Sequence, residues 1–273
     1  MSNLFVRAVA GILFSVAVVA SFLTGPWFAG FLFLFFSVIG VHELYRLSHN
    51  LGDYKPSEFI GIVIGSLIHL ITLWIVFEDK SASLFWLLLP VFVLLLSTQL
   101  IKLRQNALIN MAITSLGWLY VSIPFALIVA LSMITGQYSY ELPIGFFLIL
   151  WANDTGAYFT GKAFGKRKLY PSVSPNKTWE GLLGGVILAI VAGWGLSQFF
   201  IVVETQHWVT IGLIVAIFGN IGDLFESHLK RTSGIKDSGT IIPGHGGVLD
   251  RFDGMLFSLP VVWVYLQFIF AQF

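Results

Sequence analysis

Long apolar runs separated by short polar segments make up most of the chain. A helix needs about 20 apolar residues to cross the hydrocarbon core of a bilayer. Nine runs approach that length, at about residues 5–23, 28–46, 59–77, 84–101, 110–134, 142–161, 179–203, 208–230 and 253–271. The pattern therefore predicts an all-α, polytopic integral membrane protein with about nine transmembrane helices.

The composition supports this prediction and excludes several kinds of protein and of functional site. Hydrophobic residues make up 57% of the chain and charged residues 11%, which excludes an ordinary soluble protein. The sequence contains no cysteine, so disulfides, thiolate metal sites and a cysteine nucleophile are excluded. The first apolar run follows Arg7 but has no clear small-residue cleavage site, and we expect it to be a retained span.

The basic residues are distributed unevenly between the two faces predicted for the membrane. If the nine helices alternate in direction, the N-terminus and the loops after even-numbered helices carry 14 of the 15 lysine and arginine residues, and the opposite face carries only Lys80. Basic residues accumulate on the cytoplasmic side of membrane proteins. We therefore expect a cytoplasmic N-terminus and an external Phe273.

Two long polar loops, about 162–178 and 231–252, both lie in the C-terminal half and follow helices that carry acids. The N-terminal half has short loops, and Glu43 is its exceptional intramembrane acid. We therefore predict an N-terminal scaffold at 1–140 and a catalytic region at 141–273.

Acids inside apolar runs are candidate functional residues, because a charge at mid-bilayer costs about 2.5–3.5 kcal/mol on insertion scales. The acids in question are Asp154, Glu180, Asp223 and Glu226.

The eighth predicted helix places several polar residues on one face, at a spacing of three or four. They are Asn220, Asp223, Ser227 and Lys230. This face is expected to line a polar cavity, with Asp223 about 10 Å of helix below Lys230. The alternative is that Asp223 only forms an ion pair with Lys230 or a neighbouring helix.

The following loop combines glycines with acids. Gly244, Gly246 and Gly247 allow the backbone to approach a ligand and to present N–H groups to phosphate oxygens. Asp250 and Asp253 are spaced to face the same way at the start of the last helix, although they could instead cap it.

These oxygen ligands indicate Mg²⁺, which proteins hold through one or two carboxylates together with substrate phosphates. Asp223 and Asp250 are the predicted pair of ligands. Nearby cations would spread the charge of transferring phosphoryl groups, and they are Lys230, Arg231, Lys236 and Arg251. The alternative role for basic residues is topology or contact with anionic lipid.

The earlier loop offers a second set of polar residues. Ser174 and Pro175 form a typical helix start, so we expect Ser174 to be an N-cap. Lys177 would then lie near a helix N-terminus, where a cation is unfavourable unless a phosphate binds there. Asn153 and Asp154 could reach the same cavity. His245 could act as a base or phosphate donor, or could only cap a turn.

The run from Ser227 to Asp253 resembles the signature of phosphatidate cytidylyltransferases (CDP-diacylglycerol synthases). It reads Ser-His-Leu-Lys-Arg-x4-Lys-Asp-x-Gly-x3-Pro-Gly-His-Gly-Gly-x2-Asp-Arg-Phe-Asp. The segments at 154–158, 174–181 and 222–227 are also similar to this family, and most of all to its bacterial members. The resemblance covers most of residues 150–254, whereas the N-terminal half matches only in being helical and apolar.

The resemblance implies the reaction of CTP with phosphatidate to give CDP-diacylglycerol and pyrophosphate, dependent on Mg²⁺, at the cytoplasmic face of the inner membrane. It also implies CTP and phosphatidate as partners, no nucleic acid, and a possible homodimer. The expected catalytic residues are Asp223, Lys230, Arg231, Lys236, Asp237, His245, Asp250 and Arg251. The expected substrate-binding residues are Asn153, Asp154, Ser174, Lys177, Asn220, Ser227, Gly244, Gly246, Gly247 and Asp253.

Three alternative functions stay open at this point. A CTP-dependent lipid kinase would release CDP instead of pyrophosphate. A secondary transporter also buries acids, but we find no internal repeat of the kind that many transporters have. A purely structural membrane subunit is disfavoured by the intramembrane acids.

Overall fold

The computed structural model describes residues 3–101, 106–239 and 246–270, and these residues are mostly helical. The helices are α1 (Asn3–Thr24), α2 (Pro26–His49), α3 (Glu58–Phe77), α4 (Leu88–Ile101), α5 (Ala107–Leu116), α6 (Ile123–Ala130), α7 (Glu141–Phe164), α8 (Trp179–Leu196), α9 (Thr205–Thr232) and α10 (Leu249–Phe270). A 3₁₀ segment at Ala82–Leu87 leads into α4, and a π segment at Gly117–Ser122 joins α5 to α6. Two short strands are β1 (Lys168–Tyr170) and β2 (Ser174–Thr178).

Each predicted apolar segment coincides with a helical segment, which confirms an all-α membrane protein. Within the described ranges, six segments are long and apolar enough to span a bilayer: Pro26–His49, Glu58–Phe77, Ala107–Met133, Trp179–Leu196, Thr205–Thr232 and Leu249–Phe270. The segments Val9–Thr24 and Ala82–Ser97 are shorter apolar helices. The helix α7 is long enough but carries the polar residues Asn153 and Asp154. The predicted number of nine spans is therefore not confirmed.

The loop between α7 and α8 contains a β-hairpin that the sequence pattern did not predict. Strands β1 and β2 are antiparallel, and Tyr170 pairs with Ser174. The expected N-cap at Ser174 is wrong, because α8 begins at Trp179 and the Thr178 side chain accepts a hydrogen bond from Gly181 N at 3.1 Å. Pro175 lacks an N–H donor, and edge strands such as β2 tolerate this.

The chain divides into two compact units, one formed by Met1–Met133 and Thr232–Arg251 and the other by Ile134–Arg231 and Phe252–Phe273. In the first unit, the buried Tyr45 hydroxyl donates a hydrogen bond to Thr114 O at 2.7 Å. The Tyr45 ring lies against Gly61 and Gly117, where any side chain would collide with it. Tyr45 therefore links α2, α3 and the segment around α5.

In the second unit, α7 and α8 pack closely through small residues. A Cβ atom at Gly156 would lie 2.7 Å from the Gly184 carbonyl oxygen, and one at Gly185 would lie 2.7 Å from Asn153 Oδ1. Helices in lipid associate through such close van der Waals packing, because hydrophobic burial offers little advantage there. This packing places the polar middle of α7 beside the hairpin and the start of α8.

Replacing Gly156 by alanine is expected to destabilise the protein by about 1–3 kcal/mol, because the added methyl group overpacks the contact with α8. Gly195→Ala is the matched control, since no described heavy atom lies within 4 Å of a Cβ built there. The melting temperatures of the two purified variants in detergent measure the difference. Equal melting temperatures would contradict the importance of this contact.

Candidate functional site

Four acids of the second unit form an acidic cluster. Asp253, in the first turns of α10, lies within electrostatic range of Asp154 on α7 and of Asp223 and Glu226 on α9. Three helices therefore contribute carboxylates to one region, as expected for residues that would otherwise face lipid.

Two lysines form ion pairs with members of this cluster. Lys177 Nζ lies 2.6 Å from Asp223 Oδ2, and Lys230 Nζ lies 3.0 Å from Glu226 Oε1. The ion pair of Glu226 is buried, whereas the side chain of Asp223 is 40% exposed. The structure therefore pairs Lys230 with Glu226 and gives Asp223 a cation from the hairpin.

Polar side chains connect α9 with α7. Asn220 Nδ2 of α9 donates to Asn153 Oδ1 of α7 at 3.3 Å, and within α9 Ser227 Oγ donates to Asp223 Oδ1 at 3.2 Å. Asn153 Nδ2 in turn lies 3.4 Å from Asp154 Oδ1. Asn153 and Asn220 are buried, so these hydrogen bonds satisfy groups that have little access to water.

A cavity of about 600 Å³ opens beside this network in the second unit. Its lining residues are Asp154, Ala157, Tyr158, Gly161, Lys162, Leu169, Asn176, Lys177, Thr178, Gly181, Leu182, Asn220 and Asp223. Two lysines and two amide side chains suit an anionic group such as a phosphate, and the carboxylates suit a cation that accompanies it. Four of the predicted site residues, Asp154, Lys177, Asn220 and Asp223, thus line one space.

Two other polar residues of this region have structural partners. The Glu180 carboxylate accepts hydrogen bonds from the backbone N–H groups of Lys166 and Arg167 at 3.1 and 3.2 Å, respectively. These bonds fix the turn before β1 and explain an acid at the start of α8. Ser174 belongs to the hairpin and is not among the residues that line the cavity.

In the first unit, Asp250 organises the glycine-rich loop before α10. Its Oδ2 atom accepts hydrogen bonds from Ser238 N, Ser238 Oγ and Gly247 N, each at 2.8 Å. Gly246 has φ +82°, a left-handed conformation that favours glycine. Asp250 therefore links Ser238 to Gly247, and because neither residue belongs to α10, the capping role considered for Asp250 stays a prediction.

Glu43 of α2 holds the same loop from the other side. This buried carboxylate accepts hydrogen bonds from Val248 N at 3.1 Å, Leu249 N at 2.9 Å and Ser238 Oγ at 3.2 Å. Exposed N–H groups at a helix N-terminus favour such a negative partner. Sequence reasoning noticed Glu43 only as an unusual acid, and that signal did not reveal its partners.

A second cavity, of about 510 Å³, lies in the first unit. It is lined by Arg46, Leu47, His49, Asn50, Ile235, Lys236, Asp237, Ser238 and Gly239. Lys236 and Asp237 were predicted site residues, whereas Arg46 and His49 were missed because a basic residue at a helix end is usually explained by topology.

The remaining predicted residues are placed as follows. Arg231 lies in the last turn of α9 and Arg251 in the first turns of α10, both exposed. Gly244 and His245 lie outside the described residues. Asp223 belongs to the second unit and Asp250 to the first, so their pairing on one metal ion stays a prediction.

Comparison with known proteins agrees with the motifs. A model of the "Cytidylyltransferase family" matches residues 5–269. The chain is 33% identical over 264 residues to a phosphatidate cytidylyltransferase of Bacillus subtilis (strain 168), covering 90% of this chain and 95% of that protein. It is 48% identical over 122 residues to a phosphatidate cytidylyltransferase of Staphylococcus aureus (strain COL), covering 44% of this chain and 46% of the relative. With a family model and a relative that both match nearly its whole length, the chain belongs to the cytidylyltransferase family.

Proposed function

We propose that this chain transfers the CMP group of CTP to phosphatidate, giving CDP-diacylglycerol and pyrophosphate. Family membership and the names of its relatives support the choice of substrates. The observation that carries the proposal is the cavity at Lys177 and Asp223, where cations and carboxylates meet among apolar helices. Such a cavity suits a lipid whose headgroup is a phosphate and whose acyl chains stay in the bilayer.

The reaction joins a phosphate oxygen of phosphatidate to the α-phosphorus of CTP, and the bond from that phosphorus to the bridging oxygen breaks, so that pyrophosphate leaves. A phosphate monoester is largely ionised at pH 7, since its second pKa is about 6. The enzyme therefore needs no strong general base. Its task is to position two anions and to compensate their charge.

The cationic side chains of the site supply that compensation. Lys177, in the cavity of the second unit, and Lys236, in the cavity of the first, are proposed to contact phosphates. Lys230, Arg231 and Arg251 are the further cations proposed to contact phosphates. Asp250 and Glu43 also hold Ser238 and the residues just before α10 in place.

Asp223 and Asp250 are proposed to hold Mg²⁺. Asp223 fits this role because its carboxylate already accepts a cation, the Lys177 ammonium, at 2.6 Å. Mg²⁺ is usually held by one or two carboxylates together with substrate phosphates, so substrate oxygens would be its further ligands. When bound, Mg²⁺ would draw charge from the triphosphate.

The distribution of basic residues supports the proposal that the site faces the cytoplasm at the inner membrane. The possible homodimer stays a prediction.

The reaction products test the proposed function. Purified protein in detergent, given phosphatidate, CTP and Mg²⁺, is expected to release one pyrophosphate for each CDP-diacylglycerol formed. Enzymatic detection of pyrophosphate and mass spectrometry of the lipid measure both products. Release of CDP with a phosphorylated lipid would instead establish a lipid kinase, and no nucleotide turnover would contradict both enzymes.

Asp223→Asn is expected to lower turnover by at least about 100-fold, because the neutral amide is a poor metal ligand and leaves Lys177 without its counter-ion. Asp79→Asn removes the same charge from an exposed position at the end of α3 and should leave turnover unchanged. Melting temperatures show whether the Asp223 variant is still folded. A folded Asp223→Asn variant with normal turnover would refute the proposed metal assignment.

A further inference from the structure

The Lys177 ammonium is unusually placed for a lysine. Its nitrogen is shielded from solvent and lies 2.6 Å from Asp223 Oδ2, yet it has no hydrogen-bond partner of acceptable geometry among the described residues. An ammonium group has three N–H donors, and a buried donor without an acceptor is costly. The contact with Asp223 therefore satisfies the charge of Lys177 and leaves donors for another acceptor.

The backbone around Lys177 is fixed, whereas its side chain can turn. Lys177 lies on β2, next to Thr178, which pairs with Lys168 of β1 and caps α8. The four-carbon side chain reaches from this strand into the cavity that Asp223 also lines. An acceptor that replaces the carboxylate must therefore lie in the same cavity.

We propose that Lys177 is a replaceable counter-ion of Asp223. In the structure its ammonium contacts Asp223 Oδ2, so it competes for this carboxylate with any divalent cation that Asp223 would bind. When a phosphate group enters the cavity, Lys177 turns to the phosphate oxygens and gives up Asp223 to the metal ion. This inference rests on the proposed function, in which Asp223 is a metal ligand.

The exchange couples metal binding to substrate binding. A metal ion that arrives alone must displace Lys177 and leave a shielded ammonium without a counter-ion, which is unfavourable. A phosphate group removes that penalty by accepting the hydrogen bonds of Lys177. Metal and phosphate therefore each raise the affinity for the other, and the ligand-free protein binds metal weakly.

The exchange of Lys177 for a metal ion at Asp223 is tested directly by measuring the affinity for Mn²⁺ in the absence of substrate. Electron paramagnetic resonance of free Mn²⁺, titrated with purified protein in detergent, gives the dissociation constant without any turnover. Lys177→Met is expected to bind Mn²⁺ about tenfold more tightly than the unmodified protein, because the competing cation is gone. Lys177→Gln serves as a second neutral variant if the methionine variant does not fold.

Two control variants separate this effect from the general charge of the cavity. Lys177→Arg keeps a cation and should keep weak Mn²⁺ binding. Lys162→Met removes a cation that lines the same cavity but lies over the Tyr158 ring, and it should change the affinity less than about twofold. Unchanged or weaker binding by the neutral Lys177 variants, or an equal gain in Lys162→Met, would overturn the inference.

Combining Lys177→Met with Asp223→Asn identifies the carboxylate. The double variant should lose the tight Mn²⁺ binding, and retention of that binding would overturn the inference. CDP-diacylglycerol formation by the unmodified protein is measured separately, so failure of the exchange and failure of the proposed function are distinguishable.

Steady-state kinetics identifies the phosphate that Lys177 meets. Loss of the ammonium should raise the KM for one substrate by about tenfold or more, even though metal binding improves. A raised KM for CTP assigns the contact to the nucleotide, and a raised KM for phosphatidate assigns it to the lipid headgroup. Unchanged KM values for both substrates would show that Lys177 does not leave Asp223 and would overturn the exchange.

Discussion

An ionised carboxylate inside an apolar helix needs a cation or several hydrogen-bond donors, and this requirement shapes both units of the protein. Asp223 meets it with Lys177 from the hairpin, and Glu226 meets it with Lys230 one turn further along α9. Glu43 meets it with backbone N–H groups at the start of α10. The contacts of Asp223 and Glu43 hold a polar segment against a helix, whereas the pair of Glu226 and Lys230 lies within α9.

The helical segments were predictable because a chain inside a lipid bilayer can adopt few backbone structures other than a helix. Backbone groups in a bilayer must be satisfied within the segment, and a long apolar run therefore becomes a helix. The β-hairpin was not predictable, because strands of three and five residues depend on their mutual pairing more than on local pattern. The misplaced N-cap has the same origin, since Ser174 and Thr178 are both good caps and only the hairpin decides between them.

The residues of the site were predictable by type, whereas their partners were not. The sequence indicated that the positive charge of Lys177 is unfavourable next to a helix N-terminus unless a phosphate binds there. In the structure the Asp223 carboxylate, which lies on another helix, compensates the charge of Lys177. Glu43 and Val248 are 205 residues apart, and no local pattern could reveal their hydrogen bond. Pairings of this kind are set by tertiary packing.

In the proposed reaction the phosphate of the lipid headgroup attacks the α-phosphorus of CTP. Phosphatidate labelled with ¹⁸O in all non-bridging oxygens of its phosphate tests this most directly, with mass spectrometry of both products. We expect CDP-diacylglycerol that keeps the complete label and pyrophosphate that carries none. Label in the pyrophosphate, or a lipid product that has lost part of the label, would rule out attack by the phosphate of phosphatidate.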